Sequence, residues 1–450
     1  MNEQISDARL QIMLRNHIKQ RAEKNPFYGG MFNAFLNCGK KLNPNTKVKD
    51  IIVISNGERG RILGTMHCNS PWFCPHCATV QMSKHAARIA TAIDALKRKG
   101  QLAFMLTLTV PHHRGITCDE ITEILFNTWH EFILRGNSAK KSRSKQRKLD
   151  GSNKTYTTLN PFSQFCTTLN CKHRVRVIEY TWGVNGWHPH MHCLFWVPKK
   201  NLQMSLAWEH DLRMHWLKIA EKQTIKTLCK RRNADKESII ENTRLYFEQT
   251  TMIQEQRRQG VHISDRDGVV IAQESSQYIC GWGADRELTG NYQKKASHDG
   301  HMTPHQILTA AYEATDTAER EKWLDLYMEY ATATKRRSMR RVQFSRTGIL
   351  KIIAEYRKTE AYIETFKKKS MEKAKWRAVI WFNSKQWSQI LLSKNKYLVA
   401  DIIERAHLPD AREQIVALLL QYDIDVRYND PADKQEFIDN FINNPDFIAA

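Results

Sequence analysis

The 450-residue chain has no run of about 18 consecutive apolar residues, so the sequence predicts no membrane-spanning helix. Its first residues, MNEQISDARLQIML, lack the basic and then apolar layout of a secretory signal. Ten cysteines are spread along the chain with only a few of them clustered, which argues against a disulfide framework. Together these absences predict a protein of the reducing cytoplasm.

Acidic residues are also scarce relative to basic ones. The chain has 47 Asp and Glu against 69 Lys and Arg, which gives a net charge of +22. A basic excess of this size favours a polyanionic partner, because neutralising phosphates releases counterions. A hydrophobic fraction of 41% predicts a globular chain, and its length allows two or three domains.

Two segments near the middle of the chain give clear local predictions. Residues 102–110 (LAFMLTLTV) are typical of a buried strand that ends at Pro111. Residues 119–135 are typical of an amphipathic helix. From about residue 303 onward the pattern is almost entirely helical, interrupted by a basic segment at 335–346.

A histidine-rich segment, HPHMH at residues 188–192, is the most informative motif. On a strand, alternate residues share a face, so His188, His190 and His192 are expected to point the same way. Imidazoles grouped in this way can bind a divalent cation. The alternative is a histidine-rich strand with a solvated face.

The register of a predicted hairpin adds a carboxylate to this face. Asn185-Gly186 is a strong signal for a two-residue turn between two β-like runs. A turn at these residues would place Glu179 opposite His192, with His190 beside it. We therefore expect Glu179, His190 and His192 to bind the metal, with His188 as a further candidate. A slip of one residue would send Glu179 to the other face.

The motifs resemble those of a known family when they are taken in order. His190-Met191-His192 is similar to the His-hydrophobic-His signature of the HUH endonucleases, and the segment from Glu179 to His192 resembles the version in rolling-circle plasmid replication initiators (Rep proteins). Residues 104–109 resemble the family's first block, and residues 278–289 resemble its third. The resemblance covers roughly residues 35 to 345.

The resemblance implies an activity. It identifies Tyr278 as the nucleophile that forms a 5′-phosphotyrosine and leaves a free 3′-hydroxyl, with Mg or Mn at the histidine site. Glu274 precedes Tyr278 by four residues, so on a helix the two side chains share a face. The resemblance makes Glu274 the general base for a terminating hydrolytic cut. Without the metal hairpin, Tyr278 would be taken as a packed helix aromatic.

The sequence departs from the family at one position. The family usually has a lysine three residues after the tyrosine, whereas this chain has Gly281. A lysine there would contact the phosphate or the phenolate, and Lys294, Lys295 or an arginine elsewhere is expected to replace it. A second basic group lies at residues 335–346, where the alternative is a solvated loop. Its predicted DNA-binding residues are Arg336, Arg337, Arg340 and Arg341.

A cysteine cluster precedes the first block. A tetrahedral structural zinc needs four ligands of this kind, and CxxC pairs are frequent in such sites. A redox pair is the alternative, although no thioredoxin-like pattern surrounds it. His76 or His85 could replace Cys38 as the fourth ligand. The predicted zinc ligands are Cys38, Cys68, Cys74 and Cys77.

These observations predict an α+β protein in which an antiparallel HUH-type sheet, flanked by helices, carries the histidines on a central strand. The expected domains are residues 1–98 (an N-terminal helix and a zinc subdomain), 99–300 (catalytic) and 301–450 (α-helical). The expected function is the initiation of rolling-circle plasmid replication in a bacterial cytoplasm, on a double-strand origin whose nick site is single-stranded or in a hairpin. Host helicase and DNA polymerase are the expected partners. The alternatives are an HUH transposase or relaxase, and a non-catalytic zinc-containing DNA-binding regulator.

Overall fold

A computed structural model describes most of the chain. The described residues are 5–44, 50–57, 60–137, 144–147, 153–156, 160–202, 207–257, 261–263, 300–336, 340–345, 348–364 and 376–442. They form a mixture of helices and antiparallel sheets, in agreement with the α+β prediction. No helix in these ranges combines the length and the apolar character needed to cross a bilayer.

Helices occupy much of the described chain, and the predicted helix at 119–135 is present. Its start is fixed by a capping box, in which the Thr117 hydroxyl accepts from the Glu120 amide and the Glu120 carboxylate accepts from the Thr117 amide. In chain order the helices are α1 Asp7–Lys24, α2 Pro26–Leu36, α3 Pro75–Lys97, α4 Cys118–Asn137, α5 Pro161–Thr168, α6 Glu209–Arg231, α7 Lys236–Arg257, α8 Pro304–Glu313, α9 Thr317–Arg336, α10 Ile349–Tyr356, α11 Ser384–Leu392, α12 Leu398–Arg405, α13 Ala411–Leu420 and α14 Gln435–Ile442.

Strands form three antiparallel sheets. In chain order the strands are β1 Ile51–Ser55, β2 Gly60–Leu63, β3 Gln101–Thr109, β4 Ser144–Arg147, β5 Asn153–Tyr156, β6 His173–Gly183, β7 Gly186–Pro198, β8 Val261–Ile263, β9 Val342–Phe344 and β10 Arg377–Phe382. The strand orders are β8-β3-β7-β6-β9, β10-β1-β2 and β4-β5. The histidine strand β7 is therefore at the centre of the five-stranded sheet.

The hairpin between β6 and β7 does not turn where the sequence predicts. Gly183 pairs with Gly186, so the turn residues are Val184 and Asn185 rather than Asn185 and Gly186. A two-residue turn at Asn185-Gly186 would need a positive φ at both residues. Only Gly186 has one, at +86°, because a glycine adopts this conformation without a Cβ clash.

This turn changes the partner of the acidic residue but leaves its face unchanged. Glu179 lies opposite His190, not opposite His192 as predicted. The register differs from the prediction by two residues, which is one full period of the pleat. Glu179 and the histidines therefore still share a face of the sheet.

Pro189 lies within β7 even though proline cannot donate a hydrogen bond to a ladder. The neighbouring strand β3 ends at Thr109, opposite His190, so at Pro189 the strand β7 has a partner only on the β6 side. Pro111 follows the end of β3, as predicted. The sheet can thus accommodate a proline beside its histidines.

The opposite face of the five-stranded sheet is a packed aromatic core. Phe104 and Phe195 are cross-strand neighbours with ring centroids 5.6 Å apart, and Phe165 of α5 contacts both. Tyr180 of β6 lies on this face and hydrogen-bonds to the Thr122 hydroxyl of α4 at 2.9 Å. Core packing on one side leaves the other side of the sheet for the histidines.

The prediction that the chain is almost entirely helical from about residue 303, apart from 335–346, is wrong at one further segment, residues 377–382. The segment RAVIWF forms β10 and pairs with β1, while β9 pairs with β6. β-branched and aromatic residues favour a strand that has a partner available, and here that partner lies more than 300 residues earlier in the chain. Periodicity within the segment cannot reveal such a pairing.

The described structure divides into two compact units. The first unit comprises residues 1–84, 305–328 and 357–450, and the second comprises 85–304 and 329–356. The first contains the sheet β10-β1-β2, and the second contains the five-stranded sheet. The predicted division into 1–98, 99–300 and 301–450 stays a prediction, and the first and last parts of the chain share one unit.

Candidate functional site

A polar chain of contacts crosses the five-stranded sheet at β3, β7 and β6. The Thr107 hydroxyl is 3.0 Å from Nδ1 of His192, its direct cross-strand partner. The other ring nitrogen of His192, Nε2, is 3.4 Å from Oε2 of Glu179. A partner at each ring nitrogen fixes the orientation of the imidazole. It also determines which nitrogen carries the proton.

Glu179 has one oxygen with no partner in the described structure. The residue is 8% exposed, and its Oε1 atom is buried without a hydrogen bond to any described group. Burial alone would raise the pKa of this carboxyl, but His192, His190 and Arg341 together lower it below its ordinary value. An ionised, buried carboxylate with a free oxygen is suited to a cation.

The neighbouring imidazoles are kept neutral by burial. Burial, together with His192, lowers the pKa of His190 to about 3. The pKa of His188 is also well below its ordinary value, first because of burial and then because of His190. Neutral imidazole is the form that binds metals, so these rings do not need to lose a proton first.

Two further histidines join this group, and sequence reasoning missed both. The His112 ring stacks on His188 with centroids 4.4 Å apart, and His188 is 4.0 Å from His190. His301 is 6.5 Å from His188, and a bridge between Trp182 and Met302 holds its segment against β6. The position of His112, just beyond the end of β3, was a usable signal.

The donor set fits a divalent cation in chemical type. One carboxylate and two imidazoles, those of Glu179, His190 and His192, are the ligands that Mn, Zn and similar ions accept. The donor atoms of this group do not all lie within 4.8 Å of one another, whereas those of the four-cysteine cluster do. The group is therefore wider than a closed metal site. An ion here would therefore need further ligands, such as water or a phosphate oxygen.

Replacing Thr107 with valine should weaken Mn²⁺ binding about 10- to 100-fold, since His192 would lose the partner that orients it. Valine keeps the branched shape and removes only the hydroxyl. Mn²⁺ titration followed by electron paramagnetic resonance measures the affinity. Thr107→Ser keeps the hydroxyl and should bind as the wild type does; equal affinity for both variants would contradict the role assigned to Thr107.

Several predicted site residues lie outside the described residues. These are the nucleophile and its base, the position without the family's lysine, and three of the basic residues. Nothing in the structure tests their roles. They are Tyr278, Glu274, Gly281, Lys294, Lys295 and Arg337.

The other three basic residues differ in exposure. Arg336 is exposed at the end of α9, 3.5 Å from Oδ2 of Asp119, and Arg340 is also exposed. Arg341 is only 5% exposed, and its Nε donates to the carbonyl of Ile178, next to Glu179, at 3.4 Å. The charge of Arg341 acts on Glu179, and the predicted contact of Arg341 with DNA stays a prediction.

Four cysteines come together in the first unit. Sγ of Cys38 is 3.5 Å from Sγ of Cys77 and 3.9 Å from Sγ of Cys74. With Cys68, their donor atoms all lie within 4.8 Å of one another. A tetrahedral zinc with bonds of about 2.3 Å would separate the sulfurs by about 3.8 Å. The cluster therefore has the ligands and the spacing for a structural zinc.

Neighbouring groups favour a thiolate in this cluster. Hydrogen bonds from Cys68, Cys74 and Cys77 hold the pKa of Cys38 well below its ordinary value. The side-chain amide of Gln11 donates to Sγ of Cys74 at 3.1 Å. Histidine is not needed as a fourth ligand, since four thiols are present: His76 stacks on His67, and His85 lies beside Phe344.

Comparison with known proteins gives one limited similarity. No family model matches the sequence, and no solved structure matches it significantly. A protein named Protein rep, from Streptomyces lividans, is 26% identical over 140 residues. The aligned residues make up 30% of this chain and 30% of that protein, so the chain spans less than a third of this relative's length. Most of each protein therefore lies outside the similarity.

Proposed function

We propose that this chain initiates rolling-circle replication of a plasmid by cutting one strand of its origin. The observation that carries the proposal is the grouping of Glu179, His190 and His192 on one face of a central strand. The sequence resemblance and the name of the Streptomyces relative both favour a replication protein. Glu179, His190 and His192 would hold Mg²⁺ or Mn²⁺, which would withdraw charge from the phosphate to be cut.

Tyr278 is the proposed nucleophile. Its phenolic oxygen attacks the phosphorus of the scissile phosphodiester and loses its proton as the new O–P bond forms. The bond from phosphorus to the 3′-oxygen breaks, and that oxygen takes up a proton. The products are a 5′-phosphotyrosine and a 3′-hydroxyl that a polymerase can extend. The number of phosphoester bonds is unchanged, so the step can be reversed.

Glu274 is the proposed base that ends the cycle. It would take a proton from water, whose oxygen attacks the phosphorus of the regenerated origin and displaces its 3′-oxygen. That new 3′-hydroxyl then attacks the phosphotyrosine, releasing Tyr278 and closing a circle. Each step forms one bond to phosphorus and breaks one.

The residues around the metal ligands would orient them and keep them in the protonation state that binds a cation. Thr107 orients His192, and the positive charge of Arg341 helps to keep Glu179 ionised. Binding of DNA is supported by the net charge of +22 and by the exposed Arg336 and Arg340. The cysteine cluster would hold zinc in a structural role.

Trapping the covalent intermediate tests the proposal. The probes are 3′-labelled single-stranded oligonucleotides that tile both strands of the DNA flanking the chain's own coding sequence, with Mn²⁺ or Mg²⁺ added. The wild type should form an adduct that survives denaturing electrophoresis, because the label stays on the fragment joined to Tyr278. Tyr278→Phe should form none.

A matched control distinguishes the loss of the nucleophilic phenol from a general effect of replacing a tyrosine. Tyr246 lies in the second unit, and its hydroxyl donates a hydrogen bond to the carbonyl of His112, near the histidine group. Tyr246→Phe should still give the adduct. An adduct with Tyr278→Phe would reject the nucleophile, and binding without cutting in either metal would favour the non-catalytic regulator.

A further inference from the structure

A second group of side chains with the spacing to hold a metal ion lies in the first unit, apart from the cysteines. His17 of α1 faces two carboxylates of α9, with Nδ1 3.5 Å from Oε2 of Glu321 and Nε2 3.9 Å from Oδ1 of Asp325. One donor atom from each residue lies within 4.8 Å of the other two. This spacing is close enough for one ion to contact all three.

His17 is an unusual member of such a group because it is buried. Its side chain is 5% exposed, and Nε2 has no hydrogen-bond partner among the described residues. A buried polar atom without a partner costs free energy comparable to that of a lost hydrogen bond. An ion bound at Nε2 would remove that cost.

The two carboxylates are placed by the helix itself. Glu321 and Asp325 are four residues apart on α9 and therefore lie on one face. Both are about half exposed, so an ion can reach them from solvent. Burial lowers the pKa of His17, which leaves the ring neutral and able to donate a lone pair.

One cation already contacts the group. Arg21 of α1 donates to Oδ1 of Asp325. With His17 neutral, the charges of Glu321, Asp325 and Arg21 sum to minus one. The group therefore retains negative charge for a divalent ion, although Arg21 would repel that ion and compete for Asp325.

We propose that His17, Glu321 and Asp325 bind a divalent first-row transition ion, such as Mn²⁺ or Zn²⁺, that joins α1 to α9. One imidazole and two carboxylates match the preference of these ions, whereas Mg²⁺ and Ca²⁺ prefer oxygen ligands alone. The proposal is independent of the function proposed above. It requires neither Tyr278 nor the histidines of β7.

Mn²⁺ binding to the full chain tests this site directly. The protein carries His190→Ala and His192→Ala, so that the β7 site does not contribute. It holds one equivalent of zinc per chain, which the four thiols bind first and which leaves the group at His17 open to Mn²⁺. Titration followed by electron paramagnetic resonance should show one bound Mn²⁺ per chain. Adding Glu321→Gln and Asp325→Asn should abolish it, and both substituted positions are exposed enough to leave the fold intact.

Two further variants make the result specific. Glu319→Gln makes the same change of charge at an exposed position of α9 and should retain the bound ion. Arg21→Gln removes the competing cation and should tighten Mn²⁺ binding at least about fivefold, whereas a purely structural ion pair predicts no such gain. No bound Mn²⁺ at millimolar concentration, or binding that survives the loss of both carboxylates, would overturn the inference.

Discussion

A His190→Ala, His192→Ala double variant is expected to lose metal-dependent DNA cleavage by on the order of 10³-fold or more. The two rings provide half or more of the proposed ligands, and Glu179 alone cannot hold the ion in place. Charge stabilisation by a bound metal contributes several kcal/mol to such a reaction, and about 1.4 kcal/mol corresponds to a factor of ten. The rate of cutting of the labelled oligonucleotide, measured in single turnover, is the readout.

A histidine elsewhere in the same unit provides the control. His210 is exposed on α6, and His210→Ala removes an imidazole without changing β7. We expect it to cut at the wild-type rate. Circular dichroism would show that the double variant is folded. Cutting by a folded double variant at more than a tenth of the wild-type rate would rule out the metal site on β7.

A Cys74→Ser variant should lose the bound zinc and most of the stability of the folded chain. Cys74 is fully buried, and serine lacks the soft thiolate that zinc prefers. Structural zinc contributes on the order of 10 kcal/mol in small zinc domains, comparable to the stability of a typical domain of about 5–15 kcal/mol. Zinc content by mass spectrometry and the melting temperature are the two measurements.

Cys229→Ser tests whether any thiol substitution has this effect. Cys229 is half-buried on α6 and belongs to no cluster that the structure describes, so this variant should keep the zinc content of the wild type and melt as the wild type does. A strong chelator should lower the melting temperature of the wild type, and added zinc should restore it. A Cys74→Ser variant with the zinc content and the melting temperature of the wild type would contradict the four-cysteine site.

Local pattern was enough to place several elements. The strand that ends before Pro111 follows from its apolar run and from the proline that stops a ladder, and the helix at 119–135 follows from hydrophobic periodicity. The antiparallel pairing of the histidine strand with its neighbour follows from the hairpin signal between two β-like runs. These predictions succeed because each depends on neighbours only a few residues apart.

Other features depended on which residues adopt unusual backbone conformations. The signal at Asn185-Gly186 correctly predicted a hairpin, but only Gly186 takes a positive φ. The turn residues are therefore Val184 and Asn185, one position earlier than predicted. Glu179 remained on the predicted face because the change in register was even. The sequence could not distinguish the two turns, since both place hydrophobic residues equally well.

The sequence by itself determined the histidine face of β7, the acidic residue that shares it, and the presence of four thiols suited to zinc. The tertiary structure alone decided that His301 joins the histidines, that Arg341 is buried beside Glu179, and that β10 pairs with β1. The physical reason is distance along the chain. Periodicity records the side of an element that is buried, but not which remote element covers it, and those remote contacts set the charge and burial of a site.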